Sequence, residues 1–245
     1  MSVTAVLRSE WMKIRSLRSL VVCLLSGLAA TAGITALASA TYGDNASDGA
    51  DFDPVFFSFF GLNFGQIAAI CFGVLAVAGE YSGGSRTIRV WLAAVPRRGL
   101  YYGCKLAVVG GSALVVGLVT GFTSLLGGQA LLGEHGVGLG APGAPRAAVG
   151  CGLYLALITV LAAGVGAVLR SAVGAIGVLT PLVCFLSPVL GDGPVTRFLP
   201  DRAGQQILHT APEGTLGAWT GLAVLVAWAG VAVWGGWLAL RRRDA

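Results

Sequence analysis

Glu80 closes the charge-free run Pro54–Gly79, and a glycine pair and a row of cations follow it at once. The stretch reads Gly79-Glu80-Tyr81-Ser82-Gly83-Gly84-Ser85-Arg86-Thr87-Ile88-Arg89-Val90-Trp91-Leu92-Ala93-Ala94-Val95-Pro96-Arg97-Arg98. An acid at a helix C-terminus is disfavoured by the helix dipole. Glu80 is therefore either satisfied locally, by Tyr81, Arg86 or nearby backbone, or set in an ion pair that couples two elements. Gly83 and Gly84 break the preceding helix, and Pro96 stops the short helical stretch after them. In that stretch arginines alternate with apolar residues. Ile88, Trp91 and Leu92 can anchor in a groove of another protein, with Arg86 and Arg89 at its rim. The chemistry on offer is docking and charge pairing.

Other chemistries are poorly served. The two histidines, His135 and His209, fall between apolar runs, and there is no H-E-x-x-H or G-x-S-x-G pattern. The lysines are Lys13 and Lys105, and neither completes a G-x-x-x-x-G-K-[ST] phosphate loop. Cys23, Cys71, Cys104, Cys151 and Cys184 lie in or beside apolar runs, without C-x-x-C or metal-ligand spacing, and read as packing residues. No catalytic residue and no metal site are expected, so the chain is read as a non-enzyme.

The elements that must position these residues belong in a bilayer. Six runs carry no charge: Ser19–Gly43, Pro54–Gly79, Leu106–Gly133, Ala147–Leu169, Ser171–Gly191 and Gly214–Leu240. Each reaches the ~20 residues that a helix needs to cross ~30 Å of hydrocarbon. Charged residues make up 11% of the chain, far below the ~25% of a soluble domain. The expected fold is all-α: a polytopic membrane protein with six transmembrane helices and an N-terminal amphipathic interfacial helix. One domain, residues 1–245, holds the interfacial helix at 3–18 and spans at about 20–41, 55–79, 105–132, 147–169, 172–190 and 217–240. The third run is long enough to require tilt or projection. Pro181 and Pro188 kink the fifth, which fits a moving part or irregular packing equally. The small-xxx-small pairs Gly61/Gly65, Gly117/Gly121 and Gly217/Gly221 favour close helix packing within the chain over a dimer face.

Charge sorts by side. With the N-terminus inside, the outer loops hold only Arg146, Arg197 and Arg202 of the 16 lysines and arginines. The acids invert this, leaving only Glu10, Glu80 and Asp244 inside. The positive-inside rule then places both termini in the cytoplasm. The apolar run ending Ala36-Leu37-Ala38-Ser39-Ala40 resembles a signal peptide, but it exceeds the usual apolar core of about 7–15 residues. An uncleaved first helix is expected. Before it, residues 3–18 place Val3, Val6, Leu7, Trp11, Ile14 and Leu17 on one side, with Arg8, Lys13 and Arg15 off it, as suits a helix in the headgroup layer. Glu10 falls within the apolar arc and calls for Lys13 or a protein partner. The residues between 191 and 213 are only partly polar and fit short helices that dip back into the outer leaflet.

Two segments carry a resemblance. Leu7-Arg8-Ser9-Glu10-Trp11-Met12-Lys13-Ile14-Arg15 matches an L-x-S-E-W-x-K-x-R lead, and Glu80 to Arg98 resembles an E-Y-x-x-G-[ST]-I-R-x-x-L-A-A-V-P-R-R stretch. Both are found in permease (transmembrane) subunits of bacterial type-2 ATP-binding-cassette (ABC) exporters, which the six-run layout also resembles. Thr87-Ile88-Arg89 follows Gly84 only after Ser85 and Arg86, which lengthens the family's spacing and leaves the register of the coupling helix open. The resemblance implies that the ATPase docks on Glu80, Gly83, Gly84, Arg86, Thr87, Ile88, Arg89, Trp91 and Leu92. It implies an interfacial helix carrying Leu7, Glu10, Trp11, Lys13, Ile14 and Arg15. This chain would bind no cofactor, with ATP and Mg on a separate ATP-binding subunit. A second permease, identical or not, would complete a dimer. The surplus of Arg over Lys, with much Ala and Gly, points to a GC-rich bacterial genome. The expected site is thus the bacterial plasma membrane, with the lipid bilayer and not nucleic acid as partner. An apolar cavity would suit lipid-like, peptide or drug-like cargo without ranking them. The alternative is a membrane assembly or structural factor that transports nothing.

Overall fold

A computed structural model describes residues 2–45, 52–82, 98–138, 140–191, 193, 195–211 and 216–243. Among them the chain is helical and has no strand. The main elements are α1 (Val3–Ser16), α2 (Arg18–Asn45), α3 (Leu62–Ser82), α4 (Arg98–Leu131), α5 (Ala144–Leu169), α6 (Ala172–Pro181) and α7 (Ala218–Arg243). Five of these, α2, α3, α4, α5 and α7, are long and apolar enough to cross a membrane. By length and composition this is a multi-pass membrane protein.

The expected sixth span behaves differently. The run 172–190 is helical along its length, but α6 stops at Pro181 and a π-helical turn, Leu182–Leu186, follows before the last turn, Ser187–Leu190. Proline lacks the N–H that would continue the ladder, and a widened π turn takes up the misfit. Five helices, rather than six, have spanning length among the described residues. Two further boundaries move. The expected helix 55–79 is divided by turns at 58–61 into a single turn, Pro54–Phe57, and α3. The expected helix 105–132 begins at Arg98, so Lys105 sits two turns inside α4 instead of on a loop.

α5 is the hub, packing against α3, α4 and α7. Tyr154, Ile158 and Ala162 of α5 are fully buried among Ile70 and Val74 of α3, Leu125 of α4 and Leu225 of α7. Lipid offers no hydrophobic drive between helices, so backbone proximity must supply the cohesion. A Cβ added at Gly121 would lie 2.2 Å from the Ala148 carbonyl oxygen, and one at Gly73 would lie 2.3 Å from that of Thr159. Two of the three expected glycine pairs face inward, Gly61 and Gly65 against Thr31 and Gly117 and Gly121 against α5; of the third, Gly221 packs against Ala203 but Gly217 is exposed.

At the end of the bundle away from α1, the loops are laced together. Asp53 caps the turn Pro54–Phe57, its Oδ1 accepting from the Val55 and Phe56 amides at 3.1 and 3.0 Å. The same carboxylate accepts from Thr210 twice, from the amide at 2.8 Å and from the hydroxyl at 2.7 Å. His209 stacks on Phe56 with ring centroids 3.8 Å apart. Partial burial pushes the Asp53 carboxyl up, but the Phe56 and Thr210 hydrogen bonds and nearby His209 outweigh it and hold it below its ordinary value of 3.8. A depressed folded value means stabilisation that is present above 3.8 and lost as pH falls through the folded value. Asp53→Ala should therefore cost about 2 kcal/mol at pH 7, from the lost cap and loop bonds. Melting curves of variant and parent in one detergent should converge as the pH is taken well below 3.8.

The outer segment also docks on the bundle. Ile207 and Leu208 are fully buried, and the turn Pro200–Gln205 packs on α7. Gln205 donates to the Tyr154 hydroxyl at 3.3 Å, and that hydroxyl in turn donates to Gln66.

Candidate functional site

Both lysines of the chain meet two acids in one buried cluster at the α1 end of the bundle. Lys105 Nζ donates to Glu10 Oε2 at 3.0 Å, to Glu80 Oε1 at 2.8 Å and to the Ala76 carbonyl at 3.2 Å. An ammonium has three donors, so Lys105 is fully satisfied. Lys13 Nζ lies 2.5 Å from Glu10 Oε1 and 3.1 Å from Glu80 Oε1. The other Glu80 oxygen accepts from the Tyr101 hydroxyl at 2.5 Å. The Tyr101 ring lies beneath both ammoniums, 5.6 Å from Lys13 and 5.5 Å from Lys105, within cation–π reach.

Each side chain is delivered by ordinary helix geometry. On α1, Val6, Glu10 and Ile14 repeat at four-residue spacing and form its buried stripe. Val6 packs with Tyr101 and Cys104 of α4, and Ile14 with Phe72 and Ala76 of α3 and Val109 of α4. Glu10 sits in the apolar arc because that arc faces protein. Lys13, one turn on, reaches the same centre. Glu80 stands four residues after Ala76 on α3. Tyr101 and Lys105, four apart, share one face of α4.

The side chains of Lys105 and Glu10 are 4% and 5% exposed, so the four charges are largely removed from water. Two positive and two negative groups alternate around the cluster, and every carboxylate oxygen has a donor. Such a cluster tolerates burial only when complete. It therefore acts as a lock that fixes α1 to the ends of α3 and α4. What it offers chemically is rigid mechanical linkage. Among the described residues no group of histidines, cysteines and acids could hold a metal.

Of the expected coupling residues, Glu80 is thus placed in an ion cluster. Gly83, Gly84, Arg86, Thr87, Ile88, Arg89, Trp91 and Leu92 lie outside the described residues. On α1, Glu10 and Lys13 join the cluster and Ile14 is buried, whereas Trp11 and Arg15 are exposed and Leu7 is half-buried. Lys105 and Tyr101 were not singled out as site residues in the sequence. Lys105 carried a signal, being one of two lysines and standing at the edge of a charge-free run.

Two further cations at this end serve α7. Arg98 donates to the Leu240 carbonyl at 3.2 Å and Arg170 to that of Ala239 at 3.1 Å, near the helix C-terminus, where the dipole favours positive charge. Fold and cluster together define an all-helical, multi-pass membrane protein whose N-terminal helix is ion-locked to two long helices. No protein-family model matches the chain, and no curated protein matches it in sequence.

Proposed function

We propose that the chain is the membrane-spanning permease subunit of an ATP-driven exporter, working with a separate ATP-binding subunit. The observation that carries this reading is the place of the ion cluster. Residues 83–97, where the docking motif lies, are flanked by Glu80 on α3 and by Tyr101 and Lys105 on α4, and these three side chains join in binding α1. A push on that segment would reach α1, α3 and α4 together. A rigid, water-poor ion lock suits force transmission between an ATPase and a helix bundle.

In this reading residues 172–190 form the sixth crossing, α1 lies in the cytoplasmic headgroup layer, and both termini face the cytoplasm across the plasma membrane. The basic end formed by Arg98, Arg170 and Arg241 would be the inner one, as the positive-inside rule requires. ATP and Mg belong to the partner subunit, and two permeases complete the translocation path.

Tagged full-length chain, purified in mild detergent from its native membrane, tests the reading. A co-purifying ATP-hydrolysing subunit is expected with the parent and should be lost with Arg86→Glu/Arg89→Glu, while the amount of inserted chain stays the same. Intact chain that brings down no such subunit would favour the membrane assembly or structural factor.

A further inference from the structure

α1 has a second face that the ion lock does not use. Arg8, Trp11 and Arg15 follow at i, i+3 and i+7, and with Leu7 and Ile14 they border an open groove of about 760 Å³. Its floor and walls come from α2 and α4, including Leu25, Val108, Gly111 and Val115, and are almost wholly apolar. The volume lies within the ~300–1,000 Å³ typical of small-molecule sites, and an apolar trough with a few polar groups on its border has the usual ligand-site character.

Three features select the occupant. On α4 the groove runs from Ala107 to Val116, about 14 Å along the helix, which is half of the ~30 Å hydrocarbon core. It is therefore as deep as one leaflet. The charged groups that line the groove are both on α1, Arg8 and Arg15, which are exposed and have no acidic or hydrogen-bonding partner among the described residues. That contrasts with Arg98 and Arg170, which are held by helix carbonyls. Finally, Trp11 lies between the two arginines, and indole rings favour the headgroup level of a bilayer.

We propose that this groove binds one anionic glycerophospholipid from the leaflet on the α1 side. The phosphate and acidic headgroup sit between Arg8 and Arg15, where guanidinium forks match phosphate oxygens. Trp11 covers the glycerol level, and an acyl chain fills the trough beside Val108 and Val115. The bound lipid would wedge α1 against α2 and α4 on the side opposite the ion lock. The inference requires a bilayer but not an ATPase partner, so it stands or falls apart from the permease reading.

The test uses purified full-length chain, delipidated in detergent and then given phosphatidylglycerol, phosphatidylcholine of equal chain length, or inorganic phosphate. Native mass spectrometry and thermal melting are the readouts. A one-to-one phosphatidylglycerol adduct with a raised melting temperature is expected, and neither of the other additions should reproduce it. Arg8→Gln/Arg15→Gln should weaken binding about thirtyfold, from the loss of two cations near an anionic headgroup. Gly111→Phe gives an independent arm, because a Cβ added at Gly111 meets nothing within 4 Å and the ring can fill the trough without a clash. It should abolish the adduct and leave the lipid-free melting temperature unchanged. Equal retention of phosphatidylcholine, protection by inorganic phosphate, or an adduct that survives both variants would overturn the proposal. So would a chain dimer, lost in Gly111→Phe, with no lipid adduct.

Discussion

Replacing Lys105 by Met should be the most damaging single change in this chain, costing about 3–5 kcal/mol of stability. Met has a similar length and belongs in an apolar helix, so the loss would not come from packing. It would come from taking the Lys105 ammonium away from Glu10 Oε2, at 3.0 Å, and from leaving Glu80 Oε1 with Lys13 alone, at 3.1 Å. Two carboxylates would then face each other with only Lys13 between them. Thermal melting in detergent reads the loss, and trypsin reads its location. If α1 is released, cleavage after Arg15 and Arg18 should accelerate before the bundle melts. The control is Glu10→Gln/Lys13→Gln/Glu80→Gln/Lys105→Met, which removes all four charges together and should recover much of the loss, because an ion cluster replaced as a whole costs far less than one broken. A Lys105→Met protein that melts within about 1 kcal/mol of the parent would mean that water reaches the cluster and that it locks nothing.

The membrane character was legible from charge-free run length, since the hydrocarbon core sets that length and tolerates few charges. Five of the six runs contain a helix of spanning length for this reason. Local backbone chemistry was less legible. Pro181 announced a break, but not that a π turn would carry the helix on to Leu190. A charge marks the edge of an apolar run but not of its helix, so the start of α4 at Arg98 was not legible. Tyr101 and Lys105 belong to the helix, since their face packs on α1 and their polar ends have partners there. The same limit concealed the cluster. Glu10 looked misplaced in an apolar stripe, and Glu80 looked misplaced at a helix end. Each anomaly was visible in one dimension, but resolving it required the packing of three helices that are far apart in sequence. The anomalies themselves were the useful signal, for both acids proved to face the same two lysines.

The link between α1 and α3 should govern function more than folding. If the chain is the permease proposed above, Glu80→Ala is expected to impair transport while the chain still inserts, but it also strands cations. The sharper variant is Lys13→Gln/Glu80→Gln. It removes one charge of each sign, keeps the cluster neutral, and leaves Lys105 on Glu10 at 3.0 Å, so α1 stays tied to α4. An amide at position 80 can still pair with the Tyr101 hydroxyl. Stability should remain close to the parent's, because no buried charge is left unopposed. What is lost is the charge link from Lys13 to Glu80, at 3.1 Å the direct ion pair between α1 and α3. If ATPase closure drives α1 and α3 as one body, work done on residues 83–97 will no longer reach the interfacial helix in full. In the complex that the exporter reading proposes, ATP hydrolysis should then persist while transport per ATP falls about tenfold, equivalent to ~1.4 kcal/mol of lost coupling. A double variant that melts normally and transports normally would show that α1 is only an anchor. One that melts normally but leaves hydrolysis running without transport would make the ion cluster the coupling joint.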